Sequence, residues 1–216
     1  MSDLCQFQHP RFARMYERIS AESERRGTAA QRDRALADLT GRVIEVGAGN
    51  GMNFSHYPDT VDEVIAVEPE DRLRALAERA AADAAMPVRV VPGHADALPF
   101  ADGSFDAAVA SLVLCSVPDP CRSLAELRRV LRSGGELRFF EHVRSASSLA
   151  GAFQDLVTPL WARAGGGCHL NRDTTADIRA AGFEIEELHR FSYRPLQFVP
   201  SHAHILGVAR KPGSMA

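Results

Sequence analysis

Three glycines spaced two apart, Gly47, Gly49 and Gly51, close the apolar run Val43-Ile44-Glu45-Val46. Such a run ending in glycines is a strand entering a tight turn where backbone must approach a ligand closely, because a Cβ would block the approach or forbid the dihedral. A second apolar run, Val64-Ile65-Ala66-Val67, ends in Glu68, 21 residues after Gly47. A glycine-rich strand-turn-helix with an acid at the next strand end is how a Rossmann-like sheet holds a nucleoside, the acid on the ribose hydroxyls. The dinucleotide fingerprint requires glycine at position 52, which here is Met52, and no Gly-Lys-Ser/Thr follows, so a P-loop is excluded. The plainer alternatives are a glycine turn without ligand and a solvated acid at a strand end.

Other residues with chemistry to offer lie further along. His142 follows an apolar run, where it can act as a base, orient an acceptor or simply pack. Cys168-His169 sits in a loop with Gly165, Gly166 and Gly167, and His202 and His204 follow. Metal ligation needs three or four convergent ligands, and this spacing is not diagnostic, so no metal is expected. Cys115, within an apolar stretch, reads as a small core residue rather than a nucleophile. Trp161, Tyr193, Phe198 and His204 line an acceptor pocket or pack the last strands.

The elements that must position these residues alternate between strand and helix periodicity. Helices are expected at 9–23, 32–39 (closed by Gly41), near 51–57, 70–84, 120–132 (stopped by Ser133-Gly134-Gly135), 149–163 and 172–181. Strands are expected at 43–47, 64–68, 88–92, 105–114, 136–142, 183–192 and 203–210. Strands separated by helices imply right-handed crossovers and a parallel sheet covered on both faces. The last two strands lack an intervening helix and should pair antiparallel. In such a sheet a ligand sits beyond the carboxyl ends of the strands, at the switch point. Asp102-Gly103 is a turn signal, which gives Asp102 and Asp106 structural roles. Asn171, Arg172 and Asp173 are expected to cap the helix after the glycine loop and close the pocket floor, with Asp173 or Asn171 as N-cap.

The bulk properties exclude several classes. The chain has 216 residues and a net charge of -3, which offers no electrostatic case for nucleic acid. No apolar run is long enough to span a bilayer, and the first residues lack a signal-peptide pattern. Four scattered cysteines without a C-x-x-C suggest reduced thiols and a cytoplasmic setting.

The segment E-V-G-A-G-N-G resembles motif I of the class I S-adenosylmethionine (SAM) methyltransferases. Gly93 to Phe100 resembles that family's adenine segment. Glu45 to Pro58, Leu112 to Pro118, Arg128 to Val143, Gly167 to Thr174 and Pro195 to Gly207 resemble the alkyl-thiol S-methyltransferase branch in particular. The resemblance spans about residues 42–210 and departs from the family's common pattern in carrying Glu68 in place of Asp. It also departs at 1–40, polar and helical where animal relatives carry a hydrophobic anchor.

The resemblance implies an α/β, Rossmann-like fold with a mostly parallel seven-stranded sheet, an antiparallel C-terminal hairpin and helices on both faces. It implies SAM as cofactor, with Glu45, Gly47, Ala48, Gly49, Gly51, Asn53, Glu68, Pro69, Asp96, Ala97, Leu112 and Cys115 around it. Asp96 would accept from the adenine amine and Ala97 supply an amide, unless Asp96 is a helix cap. Residues 1–40, with Phe12 and Tyr16, are expected to form a helical lid over a domain at 41–216. Tyr16 and His142 are the expected catalytic groups, and the acceptor is a small, rather apolar molecule, first of all a thiol. An amine, phospholipid, quinone or natural-product acceptor, or a SAM-binding module without turnover, is the rival reading.

Overall fold

The computed structural model describes residues 4–197 and 199–213. Phe198, one of the expected pocket residues, lies outside them. Seven strands form one sheet in the order β3-β2-β1-β4-β5-β7-β6. They are β1 (Gly41–Val46), β2 (Val61–Val67), β3 (Val88–Val91), β4 (Phe105–Ser111), β5 (Leu131–His142), β6 (Glu184–Tyr193) and β7 (His202–Arg210). Pairings among β1 to β5 are parallel, whereas β7 runs antiparallel to both β5 and β6.

The pleat explains the apolar runs. Ile44 and Val46 pack on one face with Ile65, Leu124 and Leu127, while Val43 packs on the other with Leu36, Val64 and Ala77. A parallel sheet covered on both faces must be apolar at successive positions rather than at alternate ones. Among the described residues six α-helices surround the sheet: α1 (Pro10–Ser23), α2 (Ala29–Leu36), α3 (Asp71–Ala81), α4 (Pro120–Val130), α5 (Ser148–Ala164) and α6 (Thr174–Ala180). None of the helices among the described residues is long and apolar enough to cross a membrane.

Three of the departures from the sequence expectation bear on packing or on the site. Gly41 does not close α2, which ends at Leu36; Gly41 opens β1 at φ +73°. Its missing Cβ leaves room for the Asp106 carboxylate, which accepts from the Arg42 amide at 2.6 Å. Ser133-Gly134-Gly135 does not end α4 but forms an irregularity inside β5, which pairs with β4 at Leu131 and again from Glu136. The third difference is functional. β4 stops at Ser111 rather than at 114, because Leu112 takes φ +60° and turns the chain away from the sheet.

Residues 4–40, the described part of the expected lid, do not all lie over the cleft. Ala35, Leu36 and Leu39 are buried in the sheet's own packing. Only the part before α2 lies over the strand ends, joined to it through Glu24–Thr28, where Gly27 sits at φ +111°.

Candidate active site

Strand order reverses between β1 and β4, and a cavity of about 330 Å³ opens beyond the carboxyl ends there. Its walls come from the glycine loop (Gly47, Gly49), the β2 end (Glu68 to Glu70), segment 94–96, the turn after β4, the N-terminal segment and the loop around Gly167.

The glycine loop is fixed from below. Gly47 and Ala48 donate to the Val67 carbonyl at 2.8 and 3.2 Å, which ties the turn to the β2 end. Gly49, at φ +59°, faces the cavity, where an added Cβ would meet the Tyr16 ring at 3.4 Å. Gly51 faces the other way, and a Cβ there would strike Phe54 and Ala80, so it is a packing glycine outside the cavity wall. Glu68 lies at the cavity wall and is 5% exposed. Its Oε2 accepts from the Gly49 amide at 2.7 Å and its Oε1 from the Glu70 amide at 2.9 Å. Burial pushes the carboxyl up to about 7, although these two amides favour the ionised form.

Asp96 also faces the cavity, with one carboxylate oxygen braced by the Ser123 hydroxyl on α4. Pro69 and Leu112 line the same space. The positive φ of Leu112 is costly for a branched side chain, and such strain collects at functional sites. Glu141, fully buried, holds this turn by accepting from the amides of Val113, Leu114 and Cys115 at 2.9, 2.8 and 3.1 Å.

Other expected residues lie elsewhere. Glu45 is sealed under the loop, where it accepts from Asn53 Nδ2 and from the Tyr57 hydroxyl, each at 2.8 Å. Asn53 is 2% exposed and Oδ1 accepts from Arg32 at 2.6 Å. Both shape the glycine loop from behind rather than facing the cavity. The Ala97 amide donates to the His94 carbonyl at 3.3 Å and so is not aimed at a ligand. Cys115 is buried beneath the turn. His142 also stands outside the cavity wall: Nδ1 lies 3.3 Å from Cys168 Sγ and Nε2 lies 3.0 Å from His202 Nε2. His204 stacks with Phe140 and Phe191, Tyr193 lies tilted against the same two rings, and Trp161 is 37% exposed on α5; none of them lines the cavity. Asp173 does cap α6, accepting from the Ala176 amide at 3.1 Å.

The N-terminal segment covers the cavity with Gln6, Phe7, His9, Phe12 and Tyr16. Phe7 stacks on His94 with centroids 4.7 Å apart, and Gln8 bonds to both Pro69 and Asp71. Burial raises the Tyr16 phenol, which therefore keeps its proton at neutral pH.

Several participants were missed from sequence. His169, weighed only as half of a metal pair, is at the cavity wall, with Nδ1 2.6 Å from the Gly167 carbonyl. Because a carbonyl only accepts, Nδ1 carries the proton and Nε2 is left as an acceptor. Arg172, by contrast, is expected from sequence at the pocket floor, and it braces the turn after β4 through the carbonyls of Leu114 and Val117. Arg32, 5% exposed, joins Glu24, Asn53 and Ser111 and so ties the cover to the glycine loop. A signal for it was present: Arg32, Ala35, Leu36 and Leu39 fall at one helical face, which places the cation on the apolar side.

A glycine turn, a strand-end acid and a second acid from the neighbouring loop, gathered at the switch point of a 3-2-1-4-5-7-6 sheet, define a class I methyltransferase. Residues 44–139 match a family model described as a methyltransferase domain. Thiol S-methyltransferase TMT1B of Homo sapiens is 36% identical over 88% of this chain and 79% of its own length. The chain belongs to this methyltransferase family. Demethylmenaquinone methyltransferase of Renibacterium salmoninarum is 38% identical, but over only 44% of this chain and 39% of its own. A SAM-dependent methyltransferase of Thermotoga maritima, described as a possible histamine N-methyltransferase, superposes with a TM-score of 0.71. It is 25% identical and covers 93% of this chain and 97% of that one.

Proposed function

We propose that the chain methylates the sulfur of a small, rather apolar thiol with SAM as donor. The observation that carries this reading is the reach of the similarity. The thiol S-methyltransferase matches through 88% of the chain, whereas the quinone enzyme matches through only 44%. Similarity to the quinone enzyme therefore covers too little of the chain to include all of the cofactor and acceptor sides.

The cavity residues fit SAM. Gly49 leaves the space a Cβ would fill, and Glu68 and Asp96 supply acceptors for ribose hydroxyls and an exocyclic amine. SAM supplies an electrophilic methyl on a sulfonium. The chain's own part is to bind, orient and exclude water, for which positioning supplies up to roughly 7–11 kcal/mol. Phe7, Phe12 and Tyr16 form the cover, and Leu112, Val113 and Val117 give the cavity an apolar side. A thiol needs little help to ionise, its pKa being near 8.5. We assign His169 Nε2 as acceptor for that proton: the S–H bond breaks toward His169 as the sulfur pair takes the methyl, and S-adenosylhomocysteine leaves.

The test is S-adenosylhomocysteine release, followed by mass spectrometry, with a panel of alkyl thiols, amines, phenols and quinols. Turnover confined to thiols is expected, and preferred turnover on another class overturns the substrate assignment. His169→Ala should lower kcat while leaving SAM affinity unchanged; an unaltered kcat at pH 7 removes the proton-acceptor role.

A further inference from the structure

Two loops meet under the cavity, and each brings a cysteine. The turn after β4 carries Cys115, and the loop after α5 carries Cys168. The His169 amide donates to the Cys115 carbonyl at 2.7 Å, which pins one loop to the other. Gly167, at φ +90°, permits the approach, since a Cβ there would sit 2.8 Å from the Ser116 carbonyl oxygen. The two sulfurs lie 3.7 Å apart. His142, at the end of β5, points Nδ1 at both, 3.3 Å from Cys168 Sγ and 3.9 Å from Cys115 Sγ.

Those three edges have the size of one face of a metal-centred tetrahedron. With Zn–S about 2.3 Å and Zn–N about 2.0–2.1 Å, tetrahedral angles put sulfur about 3.8 Å from sulfur and about 3.6 Å from nitrogen. The observed sulfur–sulfur edge matches, and the two sulfur–nitrogen edges straddle the expected value.

The tautomers agree. His202 Nδ1 lies 2.9 Å from the Pro200 carbonyl, which can only accept, so Nδ1 carries the proton and Nε2 is bare. His202 Nε2 lies 3.0 Å from His142 Nε2, so His142 must carry its proton on Nε2. His142 Nδ1 is then an unprotonated lone pair facing two sulfurs. A ligating histidine held through its other nitrogen by an outer hydrogen-bond partner is the usual arrangement at metal sites.

We propose that Cys115 Sγ, Cys168 Sγ and His142 Nδ1 bind a divalent zinc-class ion, with His202 as the outer partner that orients His142. Two thiolates balance the charge of the ion, so the buried site is neutral once both protons have left to solvent. A second grouping, His142 with His202 and His204, would need the His142 nitrogen that already donates to His202, so the sulfur side is favoured. Three protein ligands leave a fourth position, the pattern of exchangeable rather than closed zinc sites. Ser116 touches both sulfurs and also lines the cavity, so an incoming fourth ligand passes it. Spacing along the chain does not reveal the site, because Cys115, His142 and Cys168 come from three separate segments, and the fold turns Cys168 toward His142 and His169 toward the Gly167 carbonyl.

The experiment uses the full chain and reads metal rather than turnover, so its outcome is independent of the acceptor. Protein purified with zinc present and then desalted should hold about one zinc per chain by elemental mass spectrometry. Cobalt loading should give a thiolate-to-cobalt charge-transfer band and intense tetrahedral visible bands. Cys115→Ser with Cys168→Ser should abolish both signals, and His142→Phe should weaken them, while Cys121→Ser leaves them intact. Cobalt spectra of the unaltered protein decide the matter if the buried variants do not fold. Folded protein that takes up no zinc and shows no sulfur-to-cobalt band overturns the proposal, as does metal that survives the double serine change. A chain lighter by two hydrogens under reducing purification would show a Cys115–Cys168 disulfide instead and would also overturn it.

Discussion

The two halves of the cleft are built by different rules. On the side proposed for the cofactor, Gly47, Gly49 and Glu68 lie within 21 residues of one another and offer backbone and one carboxylate to the cavity. Adjacent parallel strands bring them together as soon as β1 and β2 pair. Beneath the cavity, Cys115, His142 and Cys168 come from a turn, a strand end and a loop; β4-β5 pairing brings the first two together, and the His169 amide on the Cys115 carbonyl brings in the third. Local motifs therefore report cofactor chemistry well and acceptor chemistry poorly. The cofactor half should fail sharply at single atoms, and the other half should fail through loss of an assembled group.

The sharpest break expected is Gly49→Val. The residue sits at φ +59°, where a β-branched side chain is strained by roughly 1–2 kcal/mol. The added methyls would also enter the space between the loop and Tyr16. Calorimetry should find no measurable SAM binding while circular dichroism retains the fold. Retained affinity would remove the loop from the cofactor site. Glu68→Ala comes next. Hydrogen bonds to a charged group contribute about 1.5–3 kcal/mol, so SAM affinity should fall roughly ten- to a hundredfold. An unchanged dissociation constant would end the ribose assignment and weaken the contrast between the halves.

How much of this was legible follows the same division. The strand alternation, the parallel sheet with its antiparallel hairpin, and the gathering of Gly49, Glu68 and Asp96 at one cavity wall were readable, because periodicity and short spacing encode them. Glu45 and Asn53 fell in the right motif, yet their side chains turn inward to Tyr57 and Arg32, and a motif does not say which way a side chain points. His142 was placed beside the reacting atoms from its strand-end position. Its ring turns to the cysteines instead, while His169 stands at the wall. Leu112 ended β4 early because the three amides gathered by Glu141 outweigh the strand propensity of the following apolar residues.

The smallest expected effect tests whether Glu68 acts as a charge rather than as a shape. Its carboxyl is raised to about 7 by burial, with the Glu70 and Gly49 amides pulling the other way and the charge of Glu70 adding to the rise. A raised carboxyl means that the folded, ligand-free chain holds a proton which the unfolded chain releases near its ordinary value. This contribution therefore costs stability as pH rises from about 4.5 to about 7. Binding has the opposite sign, because only the ionised carboxylate accepts from both ribose hydroxyls. SAM affinity should climb as pH rises through about 7 and level off above it, falling by up to about tenfold per unit below. Glu45, also raised to about 7 by burial, titrates in the same window but lies behind the loop. Glu68→Gln separates them: it should bind more weakly at pH 8 and lose most of the pH dependence, whereas Glu45→Gln should keep it. A pH profile that survives Glu68→Gln would move the titrating group to the network behind the glycine loop, and the cofactor half would then depend on assembled packing as much as the cysteine side does.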